Sequence, residues 1–581
     1  MTSKPFRAFL LPCLLLCIIF CSCARTLPKA PLSTNSLPTP PHSELTNQEI
    51  CLSEDPVSVE TTTIDEIIQS MKRLHALPNK SAYRPHLEEL STKLFQKLLA
   101  SNDPEIVMMT MLAAASCHHP LSHNMAFSLV RSSYPIIQLA AIQALCSLNT
   151  TEADCMLVEA LRSDYPVIRL EAAWYIAHKR IPQAFFHIDT LKVKLPAELL
   201  PYLPELYAAE GSSSSIQRLR QLLLDPDEQV VLETILAIGK YNLTSFSDVL
   251  TKFTSHSPAV LEALAFALQN VPTDAARDKL KILACHSSPY VSLRACLSLI
   301  AQGDLSYQNQ VQTLAKEGNI FALSALGSCP QPLLPCFAGT EKCVNLNLAL
   351  SQLMLRDAAA IPSIKTFLAL PETELLCASY SPGHALSYWD VTPSQTVVKE
   401  LEPTFTEQSL RAKEYFLSLA LELDEAQFLD VASYIFQEGI FDLYPCLLEL
   451  LENKQSKSAI ALLHEESMRV GAPYNRAFAT LGLVKIKNEL KEKDLVPILS
   501  LSREKKAQSW RFPIPWIESA VSDERMPLQQ TSMLAHLYIS TVGALAENGS
   551  PEAISILVEE LSLAPQKYLP FVVSALLYAT L

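Results

Sequence analysis

Thiols and imidazoles are the groups in this chain best able to hold a metal or attack a substrate, and their spacing restricts both. Cys329, Cys336 and Cys343 fall seven residues apart, with Pro330, Pro332 and Pro335 among them. This spacing lacks the CxxC pair that a tetrahedral zinc site commonly uses. A disulfide inside the loop stays open as an alternative, in an oxidising compartment. Cys146, Cys155, Cys285 and Cys296 lie within helical patterns, where a thiol serves as a small buried hydrophobe. Cys117-His118-His119-Pro120 sets a thiol beside two imidazoles, but its place between helices makes it a solvated turn before a ligand set. GxSxG, HExxH and P-loop patterns are absent from the sequence. We assign no catalytic residue, no metal and no cofactor.

Aromatic side chains gather in two irregular stretches. Tyr388 and Trp389 lie in 377–404, near Tyr380, His384 and Asp390, and Trp510 and Trp516 lie in Glu504–Asp523. Exposed aromatics anchor interfaces. Tyr388, Trp389, Trp510 and Trp516 are therefore candidate partner-binding residues; the alternative is that they plug gaps between helical segments.

The N-terminus offers a different chemistry. Lys4 and Arg7 precede an uncharged apolar run from Ala8 to Phe20, which is too short to span a bilayer comfortably. The run ends in Ile19-Phe20-Cys21-Ser22-Cys23. This block resembles the lipobox of bacterial lipoproteins, in which apolar residues and then a small residue precede an acylated cysteine. Ser22 supplies the small residue, so the resemblance implies cleavage of residues 1–22 and lipid attachment, such as palmitate, at Cys23. Cys21 would follow bulky Phe20. Phe20 and Cys21 depart from the commonest form, which has Leu and then Ala or Ser. An ordinary cleaved secretory signal and a retained anchor are the alternatives. Residues 23–47 carry five prolines with Ser and Thr and read as an extended tether. At about 3.1 Å per residue it reaches up to about 70 Å. Ala24 after the lipid cysteine resembles the outer-membrane default of a diderm cell.

Composition narrows what such a tether could carry. Glycine is scarce at 12 residues and proline plentiful at 39. Phosphate-cradling loops and tight hairpins need glycine's positive φ, so a nucleotide-binding α/β enzyme or a β-sandwich is disfavoured. The net charge of −14 disfavours nucleic acid as a partner; processing would remove Lys4 and Arg7 and leave −16.

The body shows a fixed period. One aliphatic column runs Ile106, Ile137, Ile168, Leu199, Val230, Val260 and Val291, in steps of 31, 31, 31, 31, 30 and 31. A second runs Ala114, Leu145, Ile176, Tyr207, Ile238, Leu268 and Leu299, and Pro104, Pro135, Pro166, Pro258 and Pro289 form a proline column. Each unit holds a first helix, a turn and an amphipathic second helix, as in Glu152–Arg162, Ser215–Leu224 and Asp274–Cys285. Small residues at Ala141, Ala172 and Ala295 permit close helix approach. Beyond 316 the period blurs, while helical patterning continues over Asn319–Gly327, Cys343–Leu355, Glu407–Leu423, Ala426–Glu438 and on to the apolar run Leu569–Leu581.

These units resemble HEAT repeats of the short kind also called phycobilisome-lyase HEAT-like repeats, most closely over 225–239. The resemblance implies an all-α fold: a right-handed α-solenoid of helical hairpins, about 31 residues per repeat. The segments expected are a signal peptide (1–22), the tether (23–47), N-terminal capping helices (48–100), seven repeats (101–316), degenerate repeats (317–376), the aromatic insertion (377–404) and C-terminal repeats (405–581). HEAT repeats often carry Arg one residue after the aliphatic column, in an inter-repeat polar ladder. That position here is Val107, Gln138, Arg169, Leu200, Val231, Leu261 and Ser292. Only Arg169 fits, so packing between repeats is expected to be mainly apolar. The expected function is a membrane-tethered, non-enzymatic scaffold that binds a protein partner at the cell envelope. A bilin lyase/isomerase-like protein sharing the repeat, and an intracellular scaffold with a misread N-terminus, are the alternatives.

Overall fold

A computed structural model of the chain describes residues 63–77, 83–117, 119, 121–148, 150–330, 334, 341–370, 405–487, 491–503 and 528–580. All regular elements among these residues are helices, and none is long and apolar enough to cross a membrane.

Two kinds of helix alternate, and they begin differently. The first helix of a unit opens on its proline, as in Pro135–Ser147, Pro166–Lys179, Pro258–Leu268 and Pro289–Ala301, with an extended residue before it and no side-chain cap. Proline lacks the N–H that would go unpaired there, and its φ is already helical. Several second helices instead open on a hydroxyl that accepts from the backbone N–H three residues on. Thr150 does so from Ala153, Ser212 from Ser215, Thr273 from Ala276, Ser456 from Ala459 and Ser550 from Ala553. The unit near 197 has no proline opening. Its first helix breaks into a 3-10 turn, Ala197–Tyr202, and then Leu203–Glu210, because Pro201 and Pro204 withdraw backbone donors from a continuous helix.

The two kinds also differ in burial. From Val291 to Ile300 every residue of Pro289–Ala301 is buried, whereas Asp274–Ala284 buries only Ala276, Leu280, Leu283 and Ala284. A helix apolar all round needs cover on all sides; an amphipathic one can face water. First helices accordingly pack side by side: Pro104–Ser116 on Pro135–Ser147, Glu228–Lys240 on Pro258–Leu268, and Pro258–Leu268 on Pro289–Ala301. Second helices pack on the flanking first helices, as Thr151–Ala160 does on Pro135–Ser147 and Pro166–Lys179. Both aliphatic columns are buried at all seven positions, as are Ala141, Ala172 and Ala295. Gly239 marks a close approach of two first helices: an added Cβ would lie 2.8 Å from the Ala267 Cα.

Polar groups take a larger part between units than expected. The Gln138 amide donates to the Ser132 carbonyl (2.6 Å) and accepts from the Ser163 hydroxyl of the next unit (2.7 Å). Arg169 donates to the Ser163 carbonyl (2.8 Å) and, one unit on, to that of Lys194 (3.0 Å). The Ser292 hydroxyl donates to the Ala284 carbonyl (2.8 Å) and accepts from the Gln310 amide (2.9 Å). An amide and a hydroxyl thus bond at Gln138 and Ser292 as the guanidinium does at Arg169, and these polar ties sit within a join that is mainly apolar, as expected.

The expected 48–100 segment contains Ile64–His75 and Tyr83–Leu99. These helices do not simply close off one end. Pro551–Glu560 packs on Ile64–His75, and Leu569–Ala579 packs on both Tyr83–Leu99 and Pro104–Ser116. The His75 ring contacts the Ser555 hydroxyl at 3.2 Å, and Ser574 hydrogen-bonds the Cys117 thiol. Leu569–Ala579 is buried from Leu569 through Leu577 except at Phe571, so one neighbour, Leu528–Asn548, cannot cover it; the start of the chain supplies the second.

Candidate functional site

Cys23, Tyr388, Trp389, Trp510 and Trp516 lie outside the described residues, as do His118 and Cys336. Of the Cys117–Pro120 turn, Cys117 and His119 are described. His119 is buried; its Nδ1 accepts from the Leu121 N–H (3.2 Å), which leaves Nε2 to donate to the Thr92 hydroxyl (3.3 Å). The ring also meets Phe95 edge-on. This imidazole locks a turn against the preceding helix, where the sequence suggested a solvated turn. Cys329 and Cys343 are free thiols. Burial pushes the thiols of Cys117, Cys146, Cys296, Cys329 and Cys446 upward, so at neutral pH they stay protonated and weakly nucleophilic. Among the described residues no group of three His, Cys, Asp or Glu side chains is placed to hold a metal.

What the described structure does bring together is a strip on the first helices, three, six and ten residues after the aliphatic column. Glu171, Trp174 and His178 occupy these places on Pro166–Lys179. Glu205 occupies the middle one, and Glu233 and Lys240 the outer two, on later first helices. Contacts here join first helix to first helix. Lys240 pairs with Glu205 at 2.8 Å, and the Arg294 guanidinium lies 5.6 Å from the Phe266 ring centre. His178 Nδ1 sits 2.8 Å from the Trp174 carbonyl, which can only accept, so Nδ1 carries the proton and Nε2 accepts from the Tyr241 hydroxyl (3.1 Å). Desolvation by surrounding atoms, aided by the Lys240 ammonium, holds this imidazole below its usual range and keeps it neutral.

Glu171 is half-buried, and desolvation raises its carboxyl to about 7, against the opposing hydrogen bond from Tyr175. On later first helices, desolvation and then Glu452 raise Glu449, while Lys485 pairs with Glu452 at 3.2 Å. Desolvation, and then Lys485, lowers His536 to about 3. Two stretches of the first-helix row therefore hold carboxyls whose ionisation is suppressed by their surroundings. A cation brought to either place would favour the ionised form. The arrangement suits recognition of positive charge. The sequence held the signal for this strip, since it follows from the same register as the aliphatic columns, but only the fold shows which register positions face one another.

No protein-family model matches the chain, and no curated protein does. Solved structures do match, among them the crystal structure of an engineered protein, 14% identical, over 72% of this chain and 99% of that one, with a TM-score of 0.19.

Proposed function

We propose that this protein is a lipid-anchored, non-enzymatic α-solenoid of HEAT-like hairpins that binds a protein partner at the cell envelope. The observation that carries the reading is the repeated join between units: first helices packed side by side at about 31-residue spacing, tied by Gln138, Arg169 and Ser292. No hairpin in such an array buries its own apolar face, and stacking leaves long surfaces of side chains rather than one reactive cleft. The partner carries basic groups, because the strip presents Glu171 beside no cation and Glu449 beside Lys485, which already pairs with Glu452, and the chain has a net charge of −14. The Cys23 anchor, on the face of the membrane outside the cytoplasm, keeps the body within tether reach of the lipid.

Cross-linking in intact cells, followed by recovery of the tethered protein, tests this. The wild type should yield a basic envelope protein that is lost from Glu171→Lys/Glu449→Lys. The same proteins recovered in equal amount from both would refute the assignment of the strip. Cys23→Ser should abolish incorporation of a palmitate analogue; label that persists there and disappears in Cys21→Ser would move the anchor.

A further inference from the structure

Elsewhere on the first-helix row a lysine of the next first helix answers a carboxylate: Lys240 pairs with Glu205 at 2.8 Å and Lys485 with Glu452 at 3.2 Å. Glu171 has no such answer among the described residues. Pro135–Ser147, Thr151–Ala160, Ala184–Asp189 and Leu203–Glu210 all pack on its helix, and none contains a lysine or arginine. The bases of Pro166–Lys179 itself are committed elsewhere. Arg169 donates to the Ser163 and Lys194 carbonyls, and Lys179 pairs with Asp154 at 2.9 Å. The Glu171 carboxyl is met by the Tyr175 hydroxyl alone, and its surroundings make the ionised form costly. Ala140 and Ala263 fill the same register place in other units, so packing there does not require a carboxylate.

Aromatic rings stand beside this carboxyl. Trp174 and His178 follow Glu171 at three and seven residues, on one face of the helix. Their ring centres lie 3.9 Å apart, and the Tyr241 ring centre lies 6.5 Å from that of His178. The Tyr241 hydroxyl donates to His178 Nε2 across 63 residues of sequence. That bond passes over the intervening first helix, Leu203–Glu210, so the row bends inward here and the face is recessed. Glu171, Trp174 and Tyr241 are half-buried and thus still reachable. His178, kept neutral, holds the rings without adding a repelling charge, and the Lys240 ammonium is occupied by Glu205.

A guanidinium meets all of these features. It is flat and always charged, lies along an aromatic face, and gives parallel N–H donors to a single carboxylate; an ammonium is a compact point charge that stacks less well. We propose that Glu171, Trp174 and Tyr241 form a seat for one arginine side chain, with the guanidinium on the Glu171 carboxylate and against the rings. The proposal rests on the reading of this strip as the contact with a basic partner, and names the side chain that enters it.

The test uses residues 23–581 with Cys23→Ser, which keeps the chain in solution. It is titrated with three capped Gly-Ser peptides that carry arginine, lysine or citrulline at one shared place. Binding is read from the emission of Trp174, as the difference between the parent and Trp174→Phe. The arginine peptide should give a saturable change, the lysine peptide a several-fold weaker one, and the uncharged citrulline peptide none. Glu171→Gln should weaken the arginine peptide about tenfold or more, because one charge-assisted contact is lost, while the helical circular dichroism stays that of the parent. No saturable change with arginine, or equal binding by citrulline or by Glu171→Gln, overturns the seat. Lysine bound as tightly as arginine overturns the choice of a guanidinium. If the seat fails while a cross-linked envelope protein is still lost from Glu171→Lys/Glu449→Lys, the basic-partner reading stands without it. Arginine binding with no such protein recovered supports the seat and refutes that reading.

Discussion

Single residues decide how closely the first helices approach and how the space beside them is charged. Gly239 has the Ala267 backbone and the Phe266 ring where a Cβ would go. Gly239→Ala should therefore destabilise the fold by about 1–3 kcal/mol in urea unfolding, although alanine is the better helix former; a gain in stability would show that the neighbours yield freely. Glu171 makes a pH prediction. Its folded pKa, about 7, lies above the ordinary glutamate value of 4.5. The folded state then holds the proton more tightly than the unfolded one, so the stability contribution is present below 4.5 and is lost as pH rises through 7. Glu171→Gln should raise the Tm at pH 8 and leave it nearly unchanged at pH 4. An equal gain at both values would place the effect in packing rather than ionisation. At this scale the sequence was partly readable. The first aliphatic column could be read because all seven of its positions, Ile106 to Val291, keep one chemistry. The polar ladder could not, because Gln138, Arg169 and Ser292 share a position and a role but no functional group.

Helices are where the reading from sequence reached furthest. Expected second helices at Glu152–Arg162, Ser215–Leu224 and Asp274–Cys285 are found at Thr151–Ala160, Ser213–Leu222 and Asp274–Ala284. Past residue 316, where the period fades, Asn319–Gly327 and Cys343–Leu355 appear as Ile320–Leu326 and Lys342–Met354. Shorter elements such as Ser247–Lys252, which follows the 3-10 turn Thr244–Phe246, escaped notice because six residues cannot show a period. The hydroxyl caps were also missed. Thr150, Ser212 and Thr273 keep the unit spacing, but their signal is a side-chain class rather than one residue. Thr273→Ala should cost about 1 kcal/mol, since Ala276 N–H loses its acceptor at the start of Asp274–Ala284. Thr273→Ser should recover most of that in the same thermal melts. Equal loss in both variants would mean that the threonine methyl, not the cap, matters.

For the whole molecule, the join between the two ends changes what a repeat array should do. In an open array of neighbours, damage at one end leaves the other untouched. Here Leu569–Ala579 packs between Leu528–Asn548 and the helices Tyr83–Leu99 and Pro104–Ser116, so the first and last helices share a core. Leu576→Asp would bury an unpaired carboxylate. Hydrogen exchange should then speed in 83–116 as well as in 528–560, while 258–301 keeps its protection; unchanged exchange in 83–116 would show that the ends are independent. Nothing in the sequence pointed to this join. Periodicity reports what each helix needs beside it, and the apolar run at 569–581 showed that need without naming the partner that fills it.

The join can be tested in one covalent experiment. Cys117 already meets the Ser574 hydroxyl across it, so Ser574→Cys brings two thiols together from positions 457 residues apart in sequence. Mild oxidation of the folded variant should give an intramolecular disulfide between Cys117 and the introduced thiol, seen as a faster-migrating monomer on a non-reducing gel and as a linked peptide pair by mass spectrometry. Two thiols that stay free and alkylatable, or a bridge that forms only between molecules, would contradict an array whose last helix packs on Tyr83–Leu99 and Pro104–Ser116.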